Sequence, residues 1–138
     1  MKLLIHYHQL NALPAAPCVI TDFAPAKDLA FAVMNLNKGD LKLFETVYDE
    51  LLSRVEQPAL TILLDVPTEV LFARIRARGR AYEQQMAVEY LMRLRQSYEA
   101  LMAKMGNAVE VVSVTIDDSP ETVAERARLV IERHLPSR

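Results

Sequence analysis

Four arginines stand on alternate positions in Arg74-Ile75-Arg76-Ala77-Arg78-Gly79-Arg80-Ala81-Tyr82-Glu83, a stretch that also holds a glycine and closes on a carboxylate. Guanidinium forks at this density suit a phosphate, whose oxygens accept paired, charge-assisted N–H bonds from each fork. On a helix Arg74 and Arg78 share a face, four residues apart, while Arg76 looks elsewhere. Gly79 predicts the helix end, because glycine readily takes the left-handed conformation of a C-terminal cap. Past that stop Arg80 leaves the helical register and can turn back, so the forks reach one triphosphate from several sides. The same run also suits a solvated basic helix end, since arginines in a last turn complement the macrodipole without any ligand. Spacing alone leaves both readings open.

The elements flanking this stretch follow from hydrophobic spacing. Leu3, Leu4, Tyr7 and Leu10 predict a helix that stops before Pro14 and Pro17. His6 and His8, two apart, do not share a helix face, which argues against a shared metal. Cys18-Val19-Ile20-Thr21-Asp22 has the pattern of a fully buried parallel strand whose terminal carboxylate faces a binding crevice. Asp22 equally suits the start of a turn into Pro25. Residues 27 to 36 predict a helix packed through Phe31 and Met34. Asp40 then caps a second helix with Leu41, Phe44, Tyr48, Leu51 and Val55 along one core stripe.

Leu60-Thr61-Ile62-Leu63-Leu64-Asp65 predicts a second buried strand, and Pro67 with Glu69 opens the helix that runs into the arginines. From about Glu83 a long helix repeats Met86, Tyr90, Leu94, Tyr98, Leu101 and Met105 as packing residues, and Gly106-Asn107 ends it. Residues 109 to 116 form the third predicted strand. Ser119-Pro120-Glu121 opens a last helix that buries Val123, Ala127, Val130 and Ile131. Strands alternating with helices imply an α/β fold, a three-stranded parallel sheet flanked by helices, in one domain over residues 1–138.

With 138 residues, 51% of them hydrophobic, the chain suits one globular domain, and its net charge of −2 gives no footprint for a nucleic acid polymer or an anionic membrane. Cys18 is the only cysteine, so the sequence writes neither a disulfide framework nor a cysteine zinc site, and its apolar neighbours suggest a core thiol. No apolar run approaches membrane-spanning length, and the first ten residues are interrupted by His6, His8 and Gln9 where a signal peptide needs continuous apolar character. The expectation is a cytoplasmic protein.

The combination Thr21-Asp22-Phe23-x-x-x-Lys27-x-x-x-Phe31-Ala32, then Leu63-Leu64-Asp65-x-Pro67, then Arg74-x-x-x-Arg78-Gly79-Arg80-x-x-Glu83-x-x-x-x-x-Glu89-Tyr90-Leu91, resembles bacterial deoxynucleoside kinases of the deoxyadenosine and deoxyguanosine kinase type. The resemblance covers most of the chain. It implies that residues 74 to 83 are a lid over the phosphates of ATP, with Arg74 and Arg76 toward the nucleotide and Arg78 and Arg80 on the transferring phosphate. Glu83 matches the glutamate that holds the deoxyribose 3′-hydroxyl, and Asp22 and Lys27 fall in the segment beside the substrate 5′-hydroxyl. Many relatives carry Glu-Arg-Ser or Asp-Arg-Ser there, and this chain lacks that arginine, in the manner of a bacterial branch with Asp-Phe and a downstream Lys.

The resemblance further implies ATP and magnesium for the complete enzyme, a deoxynucleoside as substrate and a helix-mediated homodimer to which residues 41 to 55 or the first helix contribute. The three glycines are Gly39, Gly79 and Gly106, so no G-x-x-x-x-G-K-[ST] phosphate cradle can be written, and no magnesium ligand is identified. The expectation is therefore a partial P-loop kinase fold, the C-terminal part of such an enzyme, inactive in isolation. A thymidylate-kinase-like nucleotide kinase fragment is the nearest alternative, against which Glu83 and Glu89-Tyr90-Leu91 weigh. A non-catalytic nucleotide-binding or dimerisation module is the alternative from a different class.

Overall fold

The computed structural model describes residues 2–83, 85–106 and 108–135. The chain divides into two compact units, Met1–Pro58 with Leu94–Lys104 and Ala59–Arg93 with Met105–Arg138.

The first unit is helical. Helix α1 (Leu3–Asn11) ends where Asn11 donates its side-chain amide to the Tyr7 carbonyl at 3.1 Å, ahead of the prolines at 14 and 17. Helix α2 (Ala26–Asn35) buries Ala26, Ala30 and Ala32, small side chains that allow close packing, together with Asp28. Helix α3 (Lys38–Leu52) supplies Phe44 and Tyr48, whose rings stack with centroids 5.9 Å apart. These two join Leu3 and Ala32 in a core ringed by Leu29, Leu36, Leu41, Leu51 and Leu52. The cap of α3 is Asn37 rather than the expected Asp40. Asn37 accepts from the Asp40 amide at 3.0 Å and donates to the Asp40 carboxylate at 2.6 Å, so Asp40 closes the cap reciprocally from the third helical position.

In the second unit, strand β1 (Leu60–Asp65) pairs in parallel with β2 (Ala108–Ser113), in register from Leu60 opposite Ala108 to Asp65 opposite Ser113. Between them the chain forms helix α4 (Thr68–Arg78), a 3-10 turn over Ala81–Glu83 and helix α5 (Val88–Met102), whose residues from Leu94 belong to the first unit. Helix α6 (Pro120–His134) packs on both strands and buries Val130 against them, with Val123, Ala127 and Ile131 half-buried. Its start follows the expected chemistry, Ser119 accepting from the Thr122 amide at 3.1 Å with Pro120 first in the helix.

Among the described residues the parallel sheet has two strands, not three. Residues 18 to 22 are irregular and exposed, with Ile20 at 73%. An apolar run becomes a strand only where another strand's edge satisfies its backbone, and here Thr21 instead turns its hydroxyl onto the Phe23 carbonyl at 2.8 Å. Asp22 is consequently not a strand-end carboxylate, and Cys18 is an exposed thiol rather than a core one. The sheet is also less buried than a fully covered parallel pair. Thr61 and Val112 are buried, but Leu64 and Val111 are 49% and 56% exposed.

Three boundaries differ as well. Met86 precedes α5 instead of lying on it, α5 stops at Met102, and β2 stops at Ser113, which leaves Ile116 exposed. Asn107, expected to end the helix, lies outside the described residues. No helix among the described residues is long and apolar enough to cross a membrane.

Candidate functional site

Helix α4 delivers the arginines. Pro67 precedes it in an extended conformation, Glu69 complements its N-terminus, and Val70 and Ile75 are its buried anchors. Arg74, Arg76 and Arg78 remain exposed, and the Arg76 guanidinium lies 4.8 Å from the centre of the Phe72 ring, one turn back. At Gly79 the backbone turns left-handed, with φ 69° and ψ 18°, and its amide bonds back to the Arg76 carbonyl at 3.1 Å. The conformation belongs to glycine, as its position after the last arginine of the helix predicts.

The turn reverses the chain so that Glu83 comes back to the helix end. The Arg78 fork grips Glu83 with two bonds, Nε to Oε2 at 3.1 Å and Nη2 to Oε1 at 2.7 Å. Arg80 Nη1 lies 3.9 Å from the same Oε1. The Glu83 side chain is 9% exposed, whereas those of Arg78 and Arg80 are 49% and 54% exposed. A sheltered carboxylate is thus flanked by two half-exposed cations within six residues of chain. The amide of Glu83 bonds to the Arg80 carbonyl at 3.0 Å, which holds this short turn closed.

The structure therefore brings Arg78, Arg80 and Glu83 together, with Arg74 and Arg76 on the helix that leads into them. Asp22 and Lys27 belong to the first unit. Asp22 is exposed in a bend and Lys27 is exposed in the first turn of α2. The buried carboxylate nearby is one that sequence reasoning passed over. Asp28 accepts a 2.6 Å hydrogen bond from His6 Nδ1, and the His6 ring stacks on Phe23 at 4.3 Å with 17° between the planes. No spacing rule pairs residues 6 and 28, which lie 22 apart.

A second unforeseen pair sits past the end of β2. Arg126 on α6 donates twice to Asp118, at 2.6 and 2.8 Å, and once to the Ser113 carbonyl at 2.8 Å. Asp118 also accepts from the Thr115 amide at 2.7 Å. The Arg126 guanidinium first, and then the Thr115 amide, hold the Asp118 carboxyl down to about 2. The strap orders the segment that leaves the carboxyl end of β2. Ligands of open α/β sheets bind at such strand ends, and Val114 there bonds its amide to the Asp65 carbonyl at 2.9 Å.

For a metal, the described residues contain no group of three or more His, Cys, Asp or Glu side chains able to hold an ion. For an anion they offer the arginines of α4 and the turn that follows.

Comparison with known proteins adds the lineage. The family model described as deoxynucleoside kinase matches residues 2–134. A deoxyguanosine kinase from Bacillus subtilis (strain 168) is 28% identical over 111 residues, which are 79% of this chain and 54% of that protein. A thymidylate kinase from Synechococcus sp. (strain JA-2-3B'a(2-13)) is 38% identical over 80 residues, 58% of this chain and 37% of that protein. The chain thus spans about half the length, or less, of the curated relatives it matches.

Proposed function

The chain belongs to the deoxynucleoside kinase family, and from that premise we propose that it serves ATP-dependent phosphorylation of a deoxynucleoside at its 5′-hydroxyl, as the lid and substrate-binding part of a cytoplasmic salvage enzyme. The observation that supports this reading best is the gathering of Arg78, Arg80 and Glu83 around one turn. Phosphoryl transfer needs cations where charge spreads over the transferring group, and little covalent help from the protein. Arg78 and Arg80 are the groups for that task, with Arg74 and Arg76 toward the nucleotide. Glu83 takes the 3′-hydroxyl of the sugar, because a carboxylate accepts strongly from a hydroxyl. Residues 74 to 83 then act as a lid, and Asp22 and Lys27 serve the 5′-hydroxyl side of the substrate.

ATP supplies the phosphoryl group and magnesium accompanies it. Among the described residues no cluster of His, Cys, Asp or Glu side chains forms a cage for the ion. The 138 residues also hold no G-x-x-x-x-G-K-[ST], and we infer that the backbone cradle for the phosphates comes from outside them.

The test is an assay of labelled ATP with each deoxynucleoside, run on this chain and on the product of the same locus read from further upstream. The longer product should form 5′-monophosphates and lose at least about 100-fold in kcat/KM on Arg78→Ala, the scale for losing a cation at developing charge, while this chain alone should give none. Turnover of thymidine monophosphate but of no nucleoside would replace the proposal by the nucleotide-kinase reading that the Synechococcus relative favours.

A further inference from the structure

Several arginine pairs among the described residues are of the helix-neighbour kind. Arg54 with Glu50, Arg95 with Glu99, and Arg128 with Glu125 and Glu132 are three or four residues apart, with both partners well exposed. The pair of Arg78 and Glu83 differs in both respects, as does that of Arg126 and Asp118, eight residues apart with a carboxylate side chain 9% exposed. The Arg78 pair spans the end of α4, five residues apart, and its carboxylate side chain is 9% exposed against 49% for the arginine. Helical periodicity does not impose this contact; the left-handed turn at Gly79 creates it.

The contact has the geometry of a ligand in a site. Both carboxylate oxygens lie on the Nε and Nη2 edge of one guanidinium, at 3.1 and 2.7 Å, and Arg80 approaches one of them at 3.9 Å. A phosphate presents two oxygens to the same edge at the same spacing. We propose, resting on the assignment of Arg78 to phosphate and Glu83 to the sugar, that Glu83 is the internal occupant of an oxyanion site. A polyphosphate displaces it from Arg78, and the displaced carboxylate is thereby released to the sugar hydroxyl.

Two consequences follow from linkage. The phosphate donor and the nucleoside each relieve the same ion pair, so each favours the binding of the other by an equal factor. Without ligands the pair keeps a buried carboxylate compensated and the lid arginine occupied, so neither half-site is open alone. The rival role for Glu83 is to orient the Arg78 fork, as partners of binding arginines often do. The two roles predict opposite signs. An occupant competes with phosphate, and its removal strengthens binding; an orienting partner helps, and its removal weakens it.

The experiment titrates inorganic tripolyphosphate into the full chain by calorimetry at low salt. Glu83→Gln and Glu83→Ala should each bind it at least about threefold more tightly than wild type, since the competing ion pair is partly exposed and of modest strength. Unchanged or weaker binding by Glu83→Gln overturns the proposal. Arg78→Ala separates the two levels of inference: if it binds as well as wild type, the assignment of phosphate to Arg78 fails, whereas lost binding without tightening in Glu83→Gln sinks the displacement alone. A measurement on unmutated protein covers the case in which variants misfold. Saturating tripolyphosphate should shift both the Arg78 Nε–H resonance and the Glu83 carboxyl carbon, and an Arg78 shift with a stationary Glu83 signal refutes displacement.

Discussion

Replacing His6 by alanine removes two contacts at once, the hydrogen bond to Asp28 and the stack on Phe23. The side chains of His6 and Asp28 are 12% and 9% exposed, so water screens their contact little. A hydrogen bond to a charged group contributes about 1.5–3 kcal/mol, and a ring stack of this kind adds about 0.5–1.5 kcal/mol. His6→Ala should therefore destabilise the chain by about 2–4.5 kcal/mol, a large part of a domain's margin of roughly 5–15 kcal/mol. Much of that loss is the penalty of a stranded carboxylate rather than the net worth of the pair. Asp28→Asn placed in the His6→Ala background should accordingly recover about 1–2 kcal/mol, a non-additivity that a double-mutant cycle reads directly. The assay is urea unfolding followed by far-ultraviolet circular dichroism, with the slope against urea compared between variants. A His6→Ala loss below about 0.5 kcal/mol, or a cycle additive within about 0.3 kcal/mol, would refute the reasoning.

The remaining predictions concern the turn, two titrating groups and the sheet. Gly79→Ala meets no neighbouring atom but must hold φ at 69°, so it should cost about 1–2 kcal/mol in thermal or urea unfolding, and Gly79→Asn less. Asp118 titrates at about 2 when folded against an ordinary 3.8, so the stability it contributes is present above pH 3.8 and disappears as the pH falls through 2. Asp118→Asn should flatten that part of the acid unfolding curve. Burial first, then the charges of Asp28 and Asp49, push the Tyr48 hydroxyl up from 10.0 to about 12. Its contribution is complete below pH 10 and is lost as the pH rises through 12. Tyr48→Phe should lack this alkaline loss. Finally, Val111 lies 56% exposed on a sheet whose two strands, among the described residues, are both edges, and unpaired edges recruit other chains. Sedimentation should show self-association that Val111→Lys reduces, and a monodisperse wild-type monomer would count against it.

What the sequence determined by itself was local. Gly79 ending a helix, Ser119 and Pro120 opening one and the stripe of Phe44 and Tyr48 on α3 all depend on neighbours within a turn or so, where backbone geometry and hydrophobic spacing decide. The residues of the candidate site were legible in the same way, as types and spacing in residues 74 to 83. Tertiary structure decided everything that needs a distant partner. Residues 18 to 22 have a strand's composition, but among the described residues no strand edge pairs with them, so their backbone stays irregular. Asp28 was one carboxylate among many until His6 arrived from 22 residues away. Arg78 and Glu83 were both named from the sequence, and Gly79 as the stop between them, but which side chain the reversal brings onto Arg78 depends on the path of the chain beyond Gly79, which spacing does not specify.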